Sequence, residues 1–148
     1  MTSRWRWLRF VGASPERVVL DTNVLLSAVA FGGRPAQLVE LVRAGRISGV
    51  TSQYILEELR RALTTKQVGI SPPLVEALIL DLASFMDVVP VEPTSASWVS
   101  DTADDPIVET AMQGGARFIC TGDRRLLEGA VPGVRILTVA QMLETLAG

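Results

Sequence analysis

The sequence predicts an α/β fold: a three-layer α/β/α sandwich with a mainly parallel central sheet flanked by helices. Three observations carry this. Short apolar runs of strand length recur, and each is followed by a segment whose apolar residues fall at helical spacing. No two runs are joined by a short hairpin signal. The runs at 18–20 and 118–120 stop abruptly at polar residues, as strands buried on both faces do where they leave a parallel sheet.

Residues 1 to about 16 read as an arm, in which Arg4, Arg6 and Arg9 alternate with Trp5 and Trp7. An unstructured extension is the plain reading, because terminal segments are usually poorly ordered; a strand edge or a contact with RNA or a partner is the alternative. Residues 17–148 form one domain, with no internal repeat, low-complexity tract or linker. Its first strand is Val18-Val19-Leu20, and Asp21 sits where that strand ends. Val24 to Ala30 reads as helix, Phe31-Gly32-Gly33-Arg34-Pro35 breaks it, and Pro35 suits the first turn of another. Leu38, Val39, Leu41 and Val42 give that helix an apolar face, and Gly45 ends it.

Ile47 to Thr51 is a short second strand, with Ser52 as N-cap of the next helix. Ile55, Leu56, Leu59 and Leu63 are its apolar positions; Glu57, Glu58, Arg60 and Arg61 fill the others. After a break at 64–69, Pro72-Pro73 opens a helix with Leu74, Leu78, Leu82 and Phe85 along one face. Val88 to Val91 is a strand that Pro90 confines to an edge or an end. A loop carrying Trp98 follows. Pro106 fits the first position of a helix capped by Asp105, with Ile107, Val108, Ala111 and Met112 inward. Arg117 to Thr121 is the second strongly apolar strand, running into Gly122-Asp123 and a short helix from Arg124. Val134 to Leu137 is the last strand. Thr138 and Gln141 have the spacing of a capping box, and Met142, Leu143 and Leu146 face inward from the final helix.

Composition narrows the chemistry. Nearly half of the 148 residues are apolar, enough for a sizeable core, yet no apolar run approaches the ~20 residues of a membrane span. The basic, aromatic N-terminus has no continuous apolar segment and is not a secretory signal. With one cysteine, Cys120, there is no disulfide framework, and a cytoplasmic location is the simplest expectation. The chain has no histidine, which excludes Ser-His-Asp and Cys-His catalysis and histidine-based zinc sites. Catalysis would rest on carboxylates, hydroxyls, Lys or Arg, or on a hard cation held by oxygen. The net charge of −2 does not advertise nucleic-acid binding, although a local basic patch matters more than the sum.

The acids form a pattern. Asp21 and Asp123 follow apolar strands at the end where open parallel sheets bind ligands. Asp104 and Asp105 lie at a helix N-terminus, and Glu57 and Glu58 lie early in another helix. Each has a plainer reading: Asp21, Asp105 and Asp123 as helix caps or turn residues, Glu57 and Glu58 as a solvated face. Brought together, four carboxylates would hold Mg²⁺ or Mn²⁺, and such ions activate water and neutralise a leaving oxygen without histidine.

With those residues in view, the chain resembles the PIN domain family. Asp21-Thr22-Asn23-Val24-Leu25 after the first strand, Thr51 to Leu59, Asp104 to Ala111, and Gly115 to Leu127 with Thr121-Gly122-Asp123 look like its four motifs in order. The likeness spans about residues 17–143 and is strongest to the toxins of prokaryotic toxin–antitoxin pairs, related to VapC. It implies a metal-dependent endoribonuclease whose acids are Asp21, Glu58 (rather than Glu57), Asp104 and Asp123, binding Mg²⁺ or Mn²⁺. Asp104 is reached by counting seven back from Ala111; Pro106 departs slightly from the family pattern and leaves Asp105 as the competing third ligand. Asn23 and Thr121 match positions that order the site. Arg124, Arg125 and Arg34 are candidate phosphate contacts, with solvated surface charge as the plain alternative. By resemblance the partners are RNA, an antitoxin inserting into the acidic groove, and a second copy in a homodimer. Two other classes remain: a catalytically silent RNA- or protein-binding module, and a haloacid-dehalogenase-type phosphatase. The latter wants a second acid two residues after the first, where this chain has Asn23.

Overall fold

The computed structural model describes residues 15–65, 67–92 and 105–147. Most of the N-terminal arm, the Trp98 loop and Asp104 lie outside them. Among the described residues, five strands and seven helices alternate. They are β1 (Arg17–Leu20), α1 (Thr22–Phe31), α2 (Gly33–Arg43), β2 (Ser48–Thr51), α3 (Gln53–Leu63) and α4 (Pro72–Phe85). Then follow β3 (Asp87–Val88), α5 (Asp105–Gln113), β4 (Phe118–Cys120), α6 (Arg124–Leu127), β5 (Arg135–Leu137) and α7 (Val139–Ala147). All pairings are parallel and the strand order is β3-β2-β1-β4-β5. The α/β sandwich expected from the sequence is the fold observed. Among the described residues no helix is long and apolar enough to cross a membrane.

β1 is the central strand because it is apolar on both faces. Val18, Val19 and Leu20 are completely buried, flanked by Gly49-Val50 of β2 and Ile119-Cys120 of β4. Each such side chain contributes roughly 1.5–3 kcal/mol by leaving water. Both faces of the sheet are covered. Val50 lies against Gly114 at the end of α5, where a Cβ would come within 2.8 Å of it. Gly49, the next residue, faces the other way, and a Cβ there would sit 2.6 Å from Val42 of α2.

The order of the strands locates the site. The chain moves from β1 outward through β2 to β3, then returns past β1 to β4 and β5. Connections therefore diverge at the carboxyl ends of β1 and β4, and a crevice opens there.

Two helix faces differ from the sequence expectation. The inward face of α4 is Val75, Ile79 and Leu82, whereas Leu74 is 51% exposed. Periodicity marks an apolar stripe but cannot tell which edge of a wide stripe meets the core. In α5, Met112 is exposed and Glu109 and Thr110 are buried instead. Those two are compensated: Thr110 Oγ1 lies 2.9 Å from Ser52 Oγ, and Glu109 accepts from Gln113 Nε2 at 2.9 Å. The Thr138–Gln141 capping box forms as expected, with reciprocal bonds of 2.9 and 3.1 Å. β3 is an edge strand, consistent with Pro90 just beyond it.

At the opposite end of the sheet Arg17 joins three elements. Its guanidinium donates to the Gly114 carbonyl at 2.7 and 3.0 Å and pairs with Asp87 at 2.8 Å. A cation at the carbonyl end of α5 is favoured by the helix dipole. Arg17→Ala is expected to lower stability in urea unfolding by about 1–3 kcal/mol, the cost of losing part-buried hydrogen bonds to a charged donor. Asp87→Asn, which touches only the exposed pair, should cost less than about 1 kcal/mol.

Candidate active site

Asp21 leaves β1 and caps α1, with extended backbone (φ −60°, ψ 154°). Its backbone nitrogen still belongs to the sheet, donating to the Cys120 carbonyl at 2.9 Å. Its side chain is only 5% exposed, and both carboxylate oxygens are engaged. Oδ1 accepts from the Thr22 backbone amide at 2.7 Å, and Oδ2 accepts from the Thr121 hydroxyl at 2.7 Å. Thr121, completely buried at the end of β4, also accepts from the Asp123 backbone amide at 2.9 Å. One hydroxyl thus ties the ends of the two central strands together. Asp123 caps α6 by accepting from the Arg125 amide at 2.9 Å.

Glu58 reaches the same place from α3. Its Oε2 accepts from the Thr22 hydroxyl at 3.2 Å and its Oε1 from the Tyr54 hydroxyl, one helical turn earlier, at 3.1 Å. The helix itself is fixed by its apolar face of Ile55, Leu56, Leu59 and Leu63 and by Ser52, which caps it. Glu57 points elsewhere: it is exposed and paired with Arg60, which also holds Glu76. The choice between the two glutamates follows from the helix face.

Asp21, Glu58 and Asp123 line one cleft of about 400 Å³, together with Thr22, Asn23, Arg61, Ala62 and Ile107. Asp105 opens α5; its side chain, like Asp104, lies outside the described residues. Among the described residues no three acids close on a common point; they form the walls of a shared cleft. As a donor set they suit a hard cation. They offer carboxylate oxygens only, and Mg²⁺ retains several waters, so a few protein ligands suffice. Electrostatics point the same way. Burial pushes the Asp21 carboxyl above its ordinary range, the Thr121 and Thr22 hydrogen bonds oppose this, and the charges of Asp123 and Glu58 add to it. A cation among them would offset that repulsion. The same burial, with the Asp21 charge nearby, pushes the Cys120 thiol up to about 12, which leaves it neutral and unreactive as a nucleophile.

Arg61, Thr22 and Tyr54 were not among the residues the sequence singled out. Arg61 lies three positions after Glu58, so helical spacing puts it on the same face, and that spacing was the available signal. Among the arginines expected at phosphates, Arg124 and Arg125 sit in the first turn of α6 beside Asp123. Arg34 sits at the start of α2 and lines neither this cleft nor a neighbouring cavity, although the adjacent Pro35 does line the latter.

The direction of the Asp21 shift has a consequence for metal-free protein. With its folded pKa raised, the native state holds the proton more tightly than the unfolded chain. Stability therefore falls as pH rises from the ordinary aspartate range through the raised pKa. Asp21→Asn is expected to equal or exceed the wild type in thermal midpoint at pH 7 in EDTA, with the difference shrinking as pH falls toward about 4 and gone below it, where folded and unfolded chains are both protonated at this carboxyl. A variant that is instead less stable at pH 7 than at pH 4, relative to the wild type, contradicts this electrostatic account.

A PIN domain family model matches residues 17–125. Among solved structures, the chain is similar to PAE2754 from Pyrobaculum aerophilum, at 18% identity and a TM-score of 0.61, over 95% of both chains. It is similar to VapBC2 from Rickettsia felis, solved bound to a DNA fragment from its promoter, at 12% identity and a TM-score of 0.59, over 82% of this chain and 98% of that one. It is also similar to the PIN domain endonuclease Utp24, at 22% identity and a TM-score of 0.52, over 85% and 86%. No curated protein matches the chain.

Proposed function

The chain belongs to the PIN domain family, and from that premise we propose that it is a metal-dependent endoribonuclease, the toxin of a toxin–antitoxin pair. The observation that carries the reading is the shared cleft of Asp21, Glu58 and Asp123 at the carboxyl ends of β1 and β4. The family's fold is a nuclease fold, and a cleft walled by carboxylates without histidine suits phosphodiester hydrolysis through Mg²⁺ or Mn²⁺.

Asp21, Glu58, Asp123 and Asp104 would hold the ion or ions, with Asp105, the first residue of α5, as the competing third ligand. A divalent ion held there supplies a water of lowered pKa and neutralises charge on the phosphoryl and leaving oxygens. The chain's own work is positional. The Thr121 hydroxyl and Thr22 amide fix both oxygens of Asp21, so that carboxylate is oriented before any ligand arrives. The Thr22 and Tyr54 hydroxyls do the same for Glu58. Asn23, which lines the cleft, would help orient substrate. Arg61 gives the acidic cleft a cation at its edge, where bidentate donors can take a non-bridging phosphate oxygen; Arg124, Arg125 and Arg34 would extend phosphate contact along the strand. Partners follow the same reading: an RNA substrate, an antitoxin that fills the acidic cleft with a basic side chain, and a second copy of the chain. The likeness in fold to VapBC2 supports the pairing.

Two measurements test this. Wild-type protein with Mn²⁺ should cleave single-stranded RNA, and Asp21→Asn should lose at least about 100-fold of that rate, since metal activation is worth several kcal/mol. Equal metal-dependent cleavage by the variant sinks the assignment, and absence of both cleavage and Mn²⁺ binding favours a silent module. Separately, Arg61→Gln should lower kcat/KM by about 10-fold and reduce the salt dependence of RNA binding by roughly one phosphate contact. An unchanged salt slope would place Arg61 away from the RNA.

A further inference from the structure

A second cavity, of about 320 Å³, opens beside the carboxylate cleft. Its walls come from α1, the start of α2, the turn after β4 and the first residues of α7. We propose that it is a nucleobase subsite, taking the base of a nucleotide next to the phosphate held at the carboxylates; this placement rests on the nuclease reading of the first cleft.

Continuity is the first argument. Asn23 lines both cavities. Thr121, whose hydroxyl holds Asp21, lines the second, so the two spaces meet across the residues that organise the site. The character of the walls is the second. No residue lining this cavity carries a charge, and Pro35, Val139 and Ala140 make it largely apolar. With no cationic side chain to pair with a phosphate, the cavity suits a flat neutral ring. Single-stranded RNA is read through bases splayed into such pockets and hydrogen-bonded on their edges. The third argument is the supply of edge-reading groups. The Asn23 amide and the Ser27 hydroxyl have no partner among the described residues, whereas Thr138 is committed to the α7 cap. Asn23 offers a donor and an acceptor side by side, the pattern that reads a base edge. Finally, the volume lies at the low end of the ~300–1,000 Å³ of small-ligand pockets, which accommodates one heterocycle rather than a base pair.

The test is amide chemical-shift titration of the full chain with the four nucleoside 5′-monophosphates, with ribose 5-phosphate as the base-free control. At least one nucleotide should give saturable shifts at Ser27, Gly122 and Ala140, and ribose 5-phosphate should give none there. Ala140→Leu, which fills the cavity, should abolish the response, its amide spectrum reporting that it folds. Ser27→Ala, the milder change, should weaken binding about fivefold, the worth of one neutral hydrogen bond. Equal shifts from ribose 5-phosphate, no saturable shift from any nucleotide, or an undiminished response in both variants overturns the subsite. Mn²⁺ broadening of the Asp21 and Asp123 amides, followed on the same samples, tests the carboxylate cleft independently. Its absence alongside an intact base response removes the nuclease reading and leaves the pocket standing; the reverse removes only the pocket.

Discussion

One buried carboxylate constrains this molecule. Asp21 sits at the end of a strand whose three apolar residues are completely buried, and it is nearly as buried as they are. A charge there is costly unless something answers it. The protein answers with a hydroxyl from the end of β4 and an amide from the start of α1. Those two bonds oppose the desolvation without cancelling it, and the carboxyl remains harder to ionise than in water. Fixing Asp21 therefore also fixes the register of the site: β4 must end beside β1, and α1 must begin where it does.

The alternatives posed by the acids, helix cap or site residue, turn out not to compete. Asp21 caps α1 and Asp123 caps α6, yet both line the same cleft. In an open parallel sheet every strand delivers the chain to a helix N-terminus on the same side, and helix N-termini favour anions. A cap needs only one carboxylate lone pair, so the rest stay available toward the cleft. Helix capping and the lining of the cleft thus fall to the same residues.

Much of this was legible in the residues. The apolar runs at β1 and β4 and the helical spacing between them predict the sheet and its helices, because burial on both faces leaves a compositional mark. Ser52 and the Thr138–Gln141 pair announced helix starts that the structure contains. Faces were less legible. Leu74 and Met112 are as apolar as their buried neighbours, and only the angle at which α4 and α5 pack decides that they stay exposed. Glu57 and Glu58 were separated by resemblance alone; their environments differ because successive residues on a helix point about 100° apart.

By itself the sequence determined the class of fold, the order of its elements, the absence of histidine chemistry and the set of acids able to replace it. These are properties of composition and local periodicity, which survive without knowing what touches what. The tertiary structure alone decided which acids share a cleft, that Thr121 and Thr22 clamp Asp21, that Arg61 rather than Arg34 edges the carboxylates, and that an uncharged cavity adjoins them across Asn23. Each of those joins residues from different strands and helices. Their meeting depends on the strand order β3-β2-β1-β4-β5, a packing choice made by the whole core and written in no single stretch of chain.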